Sequence, residues 1–252
     1  MKNIEKHFGR VIALAGVSFD VRPGECHCLL GKNGAGKSTF IKTMSGVHQP
    51  TAGEIYFEGK SMHFDDPRDA IVARIATVHQ HLAMVPLVSV SRNFFMGNEP
   101  ERKVAGRSFL DKKLADAVTM EERRKMGINL RRPDQVVGTL SGGERQTVAI
   151  ARAVHFGAKI LTLDEPISAL GVRQTSNVLA TIDRVCKQGI GVVFISHTVR
   201  HALAVGDRFS VLNRGKTLGT DKRVEISPEE LQDLMAVGQE LAEIEGSLGG
   251  NV

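Results

Sequence analysis

Short apolar runs recur along the chain, separated by stretches with a helical pattern of apolar and charged residues. Four of these runs read "ECHCLL", "RIATVH", "KILTL" and "IGVVFIS". Such runs are typical of strands, and strands that alternate with helices predict an α/β domain with a largely parallel sheet.

The middle of the chain has a different pattern. From about Leu82 to Met126 it has few β-branched runs and contains the charged stretch "DKKLADAVTMEERRKM". This pattern predicts a mainly helical insertion between two parts of one α/β core. Near the end, Ser227 followed by Pro228 predicts the start of another helix. The last residues, "GSLGGNV", are expected to fray.

The composition fits a globular protein that works in the cytoplasm. The 252 residues are 42% hydrophobic and 24% charged, enough apolar material for a real core. No apolar run approaches the roughly 18 residues that a membrane helix needs. The first residues, "MKNIEKHFGR", are too polar for a signal peptide. Any membrane role is therefore expected to come through a partner.

The cysteines and the net charge add little to the candidate chemistry. Cys26, Cys28 and Cys186 make no disulfide framework, and the first two lack the spacing of a zinc site. Strand alternation puts Cys26 and Cys28 on one face, as buried thiols. The chain is basic, with 33 Lys and Arg against 28 Asp and Glu. Solvated faces explain its basic runs near Arg123 and Arg131, with a polyanion or an anionic lipid surface as the alternative.

One segment carries a phosphate-binding pattern. "CLLGKNGAGKSTF" is an apolar strand, a glycine-rich loop and a Lys-Ser pair that opens a helix, which matches G-x-x-x-x-G-K-[ST] in the context it requires. The glycines let the backbone wrap around a phosphate, and the helix dipole adds positive potential. Lys37 would neutralise the outer phosphates of a nucleotide, and Ser38 would reach Mg²⁺.

Two adjacent acids follow the strand in "KILTLDEP". Open α/β sheets bind ligands at the carboxyl ends of their strands. Asp164 would help to hold Mg²⁺, and Glu165 would polarise the attacking water. Acids after a strand are also common helix caps, and only the combination with the phosphate loop favours catalysis.

A histidine follows another apolar strand in "VVFISHTVR". His197 is expected at the same edge of the sheet, where an imidazole could hydrogen-bond a γ-phosphate and sense its loss. A lone histidine is more often structural, so this interpretation also depends on the other motifs.

The motifs together resemble those of the ATP-binding cassette ATPases over nearly the whole chain. "GKNGAGKS", "LSGGERQ", "LTLDEP" and "SAL" occur in the family's order, Gln80 in "VHQHL" is similar to the Q-loop, and His197 is similar to the switch histidine. The resemblance implies a P-loop NTPase cassette with a RecA-like core, a small antiparallel β part and an inserted helical subdomain. It divides this single domain into a core of residues 1–81 and 153–220, a helical subdomain of residues 82–152 and a helical tail of residues 221–252.

The resemblance also implies the nucleotide site. Phe8 would stack on adenine, unless it is a core residue at a strand end. The catalytic residues would be Glu165, His197 and Gln80. The metal ligands would be Ser38, Gln80 and Asp164, with ATP and Mg²⁺ as cofactors. The expected ATP-binding residues are Phe8, Gly31, Lys32, Asn33, Gly34, Ala35, Gly36, Lys37, Ser38 and Thr39.

The segment "TLSGGERQ" predicts a second anion-binding site, because a serine followed by two glycines at a helix start can present backbone N–H groups to an anion. In the family two cassettes meet head to tail, and each ATP lies between the phosphate loop of one and the signature of the other. Ser141, Gly142, Gly143 and Glu144 would therefore contact the opposite subunit's ATP. The implied partner is a second copy of this chain, or another cassette.

Within the family, the segments around Gln80 and Glu165 look like those of monosaccharide importers of ribose, xylose or fructose type. This implies an integral membrane permease and, indirectly, a periplasmic or extracellular sugar-binding protein. The cassette would be peripheral, at the cytoplasmic face of the inner membrane. No nucleic acid is expected, because the chain lacks the coiled coils or second cassette of the DNA-repair and ribosomal types. An ATP-binding regulatory subunit without turnover stays open as an alternative.

Overall fold

A computed structural model describes residues 1–236, and the end of the expected helical tail, including "GSLGGNV", lies outside the described residues. Within the described part the strands are β1 Lys2–Phe8, β2 Val11–Val17, β3 Cys26–Leu30, β4 Ala52–Phe57, β5 Lys60–Met62, β6 Ile75–Val78, β7 Glu101–Val104, β8 Arg107–Leu110, β9 Ile160–Asp164, β10 Gly191–Ser196, β11 Arg208–Asn213 and β12 Lys216–Lys222. The helices are α1 Lys37–Met44, α2 Pro67–Val72, α3 Val90–Phe95, α4 Lys112–Met126, α5 Gly142–His155, α6 Val172–Lys187, α7 Val199–Val205 and α8, which covers residues 228–236.

A six-stranded sheet forms the centre of the molecule, in the order β12-β11-β3-β10-β9-β6. All neighbouring pairs from β11 to β6 are parallel, and only β12 pairs antiparallel, with β11. The four apolar runs of the sequence are the four adjacent strands β3, β10, β9 and β6, so the predicted α/β core is confirmed.

Helices cover both faces of this sheet, which explains why its strands are apolar at successive positions. Val192 and Phe194 of β10 belong to the core formed with α3 to α7. Val193 and Ile195 belong to a second core formed with β1, β2, α1 and α2. Cys26 and Cys28 both lie in the first core as free buried thiols. The expected shared face is therefore confirmed.

The small antiparallel part is a four-stranded sheet in the order β2-β1-β4-β5. It packs against the second core through Ile4, Leu14 and Val17, which are fully buried. β1 is an inner strand that pairs with both β2 and β4. The sheet therefore holds the end of β1, with Phe8, beside the start of β2.

The middle segment contains the expected helices and one β-hairpin that its pattern did not predict. The charged stretch forms α4, capped by Asp111, whose carboxylate accepts a hydrogen bond from the Leu114 backbone N–H at 3.0 Å. Before it, β7 and β8 pair through a tight turn at Ala105 and Gly106. The proposed divisions at residues 152 and 220 fall inside α5 and β12.

The predicted helix near the end begins as expected. The Ser227 hydroxyl accepts a hydrogen bond from the Glu230 backbone N–H at 3.1 Å, and Leu231 is fully buried against the first core. Across residues 1–236, every helix is too short or too polar to cross a bilayer.

A buried histidine of β3 connects the loop before this strand to the neighbouring strand β11. The His27 Nδ1–H donates to the Asp20 carbonyl at 2.5 Å, so Nε2 accepts from the Ser210 hydroxyl at 2.8 Å. Its ring stacks on Phe19 with centroids 4.0 Å apart. Burial lowers the pKa of His27 from 6.5 to about 4, so the ring is neutral in the folded protein at neutral pH.

His27 should make the fold sensitive to mild acid. In the unfolded chain the His27 imidazole is protonated near pH 6.5, whereas in the folded chain it is protonated only near pH 4. The free energy of unfolding should fall by on the order of 1–3 kcal/mol as pH drops through that interval. In His27→Leu this part of the loss should disappear, as measured by denaturant unfolding at several pH values. Identical pH profiles for the two proteins would contradict the assignment.

Candidate functional site

The phosphate loop joins β3 to α1 at the carboxyl edge of the central sheet. The Lys37 ammonium is buried and donates hydrogen bonds to the Gly31 and Lys32 carbonyls at 2.6 and 2.9 Å. Burial lowers the pKa of Lys37, while the negative charges of Glu165 and Asp164 act in the opposite direction. The loop therefore holds its cation close to two carboxylates.

Two positions of this loop require glycine. Gly36 has φ of 107°, and a Cβ there would lie 2.8 Å from the Ala13 carbonyl. A Cβ on Gly31 would lie 2.5 Å from the Leu212 carbonyl. The backbone of the loop is thus packed against β2 and β11. Together with Asn33 and Ser38, it lines a cleft closed on one side by the start of β2.

The two acids lie at the end of β9, next to the phosphate loop. Burial raises the pKa of Asp164, and the neighbouring charge of Glu165 adds to this effect, whereas His79 and Lys37 oppose it. Glu165 has φ of 47°, a left-handed conformation that costs a non-glycine residue of order 1 kcal/mol. Its backbone N–H donates to the Ile195 carbonyl at 3.0 Å, which fixes this turn to β10.

His197 and Glu165 are in direct contact. The His197 Nδ1 lies 2.7 Å from Glu165 Oε1, and the Ser196 hydroxyl donates to Glu165 Oε2 at 3.4 Å. The Glu165 side chain is 12% exposed and that of His197 is 54% exposed. The structure therefore brings the two sequence-predicted residues together, with the carboxylate inside and the imidazole towards solvent.

Gln80 reaches the same turn from the other side of β9. Its amide Nε2 donates to the Ser168 hydroxyl at 3.3 Å, and that hydroxyl donates to the Glu165 carbonyl at 3.0 Å. A two-step hydrogen-bond path thus connects the segment after β6 with the backbone of Glu165.

The signature segment starts α5 with a capping box. The Ser141 hydroxyl accepts from the Glu144 backbone N–H at 3.3 Å, and the Glu144 carboxylate accepts from the Ser141 N–H at 2.8 Å. Ser141 and Glu144 therefore satisfy each other's backbone N–H groups, and the first-turn N–H groups of Gly142 and Gly143 form the anion-attracting end of the helix.

The phosphate loop and the signature segment of this chain border different clefts. The cleft of the phosphate loop is bordered by Ala13, Lys37 and Arg214. The cleft beside the signature is bordered by Gly142, Glu165 and Gln80. Within the described residues, the signature contributes to the second cleft and the phosphate loop to the first.

Phe8 lies at the end of β1 with 44% of its surface exposed. His48 packs edge-on against its ring with centroids 5.2 Å apart, and the Lys6 ammonium lies 5.2 Å from the ring centre. Its partial exposure rules out the alternative of a core phenylalanine at a strand end.

Residues 14–168 match the family model described as ABC transporter. The chain belongs to the ABC transporter family. As a member of it, the chain is an ATP-binding ATPase cassette, and the expected fold of a RecA-like core with an antiparallel β part and a helical insertion is confirmed by solved cassettes. A nucleotide-free cassette of an ABC transporter superposes with a TM-score of 0.79 at 24% identity, covering 93% of each chain. A cassette dimer in a post-hydrolysis state bound to ADP and Pi gives a TM-score of 0.73 at 25% identity, covering 88% of this chain and 97% of that one.

Several curated relatives of the cassette carry importer names. The xylose/arabinose import ATP-binding protein of Sulfolobus acidocaldarius is 42% identical, over 93% of this chain and 92% of its own length. The fructose import ATP-binding protein of Rhizobium meliloti is 40% identical, over 86% of this chain and 85% of its own length. The ribose import ATP-binding protein of Geobacillus kaustophilus is 37% identical, and this chain spans only 48% of its length.

Sequence reasoning missed three small residues that support the predicted ones, namely Ser196, Ser168 and Ala13. Ser196 precedes His197 directly, and its place at the end of an apolar strand could have indicated a role. Ser168 and Ala13 carry no motif that separates them from other small residues, because their contacts depend on loops that close only in the folded cassette.

The signature glycines differ in what surrounds them. A Cβ on Gly142 would lie 2.8 Å from the end of the flexible Leu170 side chain and 3.8 Å from Gln174 Oε1, which is an ordinary contact distance. A Cβ on Gly143 would lie 2.9 Å from Gln174 Cβ and 3.3 Å from its Cα and carbonyl oxygen, at the start of α6. Gly143 is therefore required for the packing of α5 on α6, whether or not it touches a nucleotide.

Gly143→Ala should therefore destabilise the cassette, whereas Gly142→Ala should not. The first change forces α5 away from the α6 backbone and should lower the melting temperature by roughly 2–10 °C. The second gains helix propensity and needs only a rotamer change of Leu170. Thermal unfolding of both variants without nucleotide checks this contrast, and equal melting temperatures would contradict it.

Proposed function

We propose that this cassette is the ATP-hydrolysing subunit that energises the import of a small sugar through a membrane permease. The observation that carries the catalytic part is the convergence of Lys37, Asp164, Glu165 and His197 at one edge of the sheet. The importer part is supported by relatives with sugar-import names at 37–42% identity over most of this chain.

The phosphate loop is assigned to ATP. Lys37 would neutralise the outer phosphates, the backbone from Gly31 to Gly36 would surround the β-phosphate, and Thr39 would follow at the start of α1. Phe8 is 44% exposed at the end of β1 and would stack on adenine. Lys32, Asn33 and Ala35 complete the loop in the same proposal.

Glu165 is assigned to the attacking water. It is the less exposed partner of the Glu165–His197 pair, so it accepts a proton in a site partly shielded from bulk water. His197 orients that carboxylate through the 2.7 Å contact and presents its other nitrogen to the γ-phosphate. Gln80 would report the state of this turn through Ser168.

The donors near the phosphate loop suit a hard divalent cation such as Mg²⁺. Asp164 is a half-buried carboxylate whose raised pKa reflects burial and the adjacent Glu165, so a cation would relieve both costs. With Ser38 and Gln80 it offers oxygen ligands, as Mg²⁺ prefers. In this proposal, ATP phosphates would complete the coordination. Bound there, Mg²⁺ would neutralise phosphate charge.

The two clefts support a head-to-tail dimer. Gly142 lines a cleft separate from that of the phosphate loop of its own chain, and Ser141, Gly143 and Glu144 adjoin it at the start of α5. A second copy, or another cassette, would bring its signature to this chain's ATP. Such a dimer would close on ATP and open after product release.

The membrane partner in this proposal is a permease, and the cassette is peripheral at the cytoplasmic face. A periplasmic or extracellular binding protein would select the sugar, because the cassette itself holds only the nucleotide. The helical insertion of residues 82–152 would contact the permease, and Gln80 lies where that insertion joins the core.

Replacing the proposed base tests the catalytic assignment. Glu165→Gln should retain ATP binding, because the phosphate loop is intact, and lose about 10²- to 10⁴-fold in the rate of phosphate release. Lys37→Ala should instead weaken ATP binding. Glu229→Gln, on an exposed part of α8, is a matched control and should keep the wild-type rate. Wild-type turnover by Glu165→Gln would refute the assignment, and no turnover by the wild type would favour a regulatory subunit.

Mixed dimers test whether the phosphate loop of one chain and the signature of the other bind the same ATP. Ser141→Asp keeps a good helix cap and places a negative charge beside the phosphate. Dimers of this variant with Lys37→Ala should regain activity relative to either homodimer, because one of their two sites then has an intact Lys37 and an intact Ser141. If each chain's signature served its own nucleotide, both sites would be defective and the mixture would stay inactive.

A further inference from the structure

The hairpin β7–β8 lies within the insertion of residues 82–152 and carries an exposed face to which the proposed function gives no role of its own. The pairing of β7 with β8 places Arg102 opposite Phe109 and Val104 opposite Arg107. Paired residues of an antiparallel hairpin share a face, and so do residues two apart. These four residues therefore form one surface, which we call the hairpin face.

The hairpin face consists of two cations and two apolar side chains. Val104 and Phe109 are each 50% exposed, and both arginines are exposed as well. The turn beyond them is tight, because Ala105 and Gly106 have φ of 49° and 78°. The arginines and the apolar groups are thus presented together at the tip of a short, stiff projection.

The opposite face of the hairpin points to the body of the cassette. Leu110 is half-buried and lines a cavity with Phe95 of α3 and Ala115 of α4. This contact leaves the hairpin face turned outwards. In the described chain no side chain pairs with Arg102 or Arg107 in a salt bridge, and these two are the charged residues of the face.

The acidic residues near the hairpin are engaged elsewhere. Glu101 lies on the Leu110 face of the hairpin, by the same alternation. The Glu99 carboxylate accepts from the Gly97 backbone N–H at 3.1 Å, and Asp111 caps α4. The hairpin face therefore has positive charge that is not offset by an acid on the same surface.

We propose that the hairpin face binds the anionic headgroups of a phospholipid bilayer. Arginines that flank apolar side chains suit such a surface, since the guanidinium groups pair with phosphates while Phe109 and Val104 enter the interfacial region. This inference rests on the proposed function, which brings the cassette to a membrane. In a dimer, two hairpins bound to the same bilayer would hold the protein more tightly than either hairpin alone.

Vesicle binding by the purified full chain, without permease, tests the proposal. The wild type should co-sediment with vesicles of mixed phosphatidylglycerol and phosphatidylcholine at low salt, and not with phosphatidylcholine alone. Each cation near an anionic surface contributes roughly a fivefold gain in binding. Arg102→Glu combined with Arg107→Glu should therefore lower binding by at least about tenfold, and Phe109→Ser should lower it severalfold.

A charge-matched control distinguishes the hairpin face from the net charge of the protein. Lys2→Glu combined with Lys60→Glu changes two exposed cations on the small antiparallel sheet by the same amount and should leave vesicle binding unchanged. All variants should keep the wild-type ATPase rate. An equal loss in the control pair, or no binding by the wild type, overturns the proposal.

Competition with RNA tests the alternative that the hairpin face binds nucleic acid. If RNA displaces the vesicles and its binding depends on Arg102 and Arg107, the face is a nucleic-acid site and the lipid proposal is wrong. Absence of vesicle binding by a wild type that hydrolyses ATP would overturn only this inference, whereas wild-type turnover by Glu165→Gln would refute only the proposed function.

Discussion

The parallel pairing of β3, β10 and β9 is the constraint on which the site depends. The pairing of Val192 with Cys26 and of Val193 with Thr162 defines the register of the three strands. Because the strands run in the same direction, their carboxyl ends lie at one edge, and each end continues into a functional segment. A one-residue slip would exchange the two buried faces of a strand and move Glu165 or His197 away from the phosphate loop.

The charges at this edge stabilise one another at some cost to the fold. Burial lowers the pKa of Lys37 and raises that of Asp164, so each group resists its charged form, and each opposes the effect on the other. The left-handed backbone of Glu165 adds a local cost that the hydrogen bond to Ile195 offsets. Such arrangements are common where a site is prepared for a charged ligand.

The sequence predicted the parts of the structure in which local pattern and packing agree. The runs that became β3, β6, β9 and β10 are apolar and separated by helices, and the loop around Lys37 matches a specific motif in the strand-to-helix context it requires. The hairpin β7–β8 was missed because its strands are short and exposed, so they have no apolar alternation, and its turn residues Ala105 and Gly106 are not a common turn pair. The contact of Gln80 with Ser168 could not be predicted from local sequence, because it joins loops that are 88 residues apart.

The close contact of Gly143 with Gln174 couples the two halves of the cassette. There is no room for a Cβ at this point of α5, so the signature packs directly against the helix that follows the Glu165 turn. In a head-to-tail pair, the nucleotide of one subunit would press on the signature of the other and, through this contact, on the catalytic turn of that second subunit. In such a pair, a change at one ATP site would reach the other through the contact of α5 with α6.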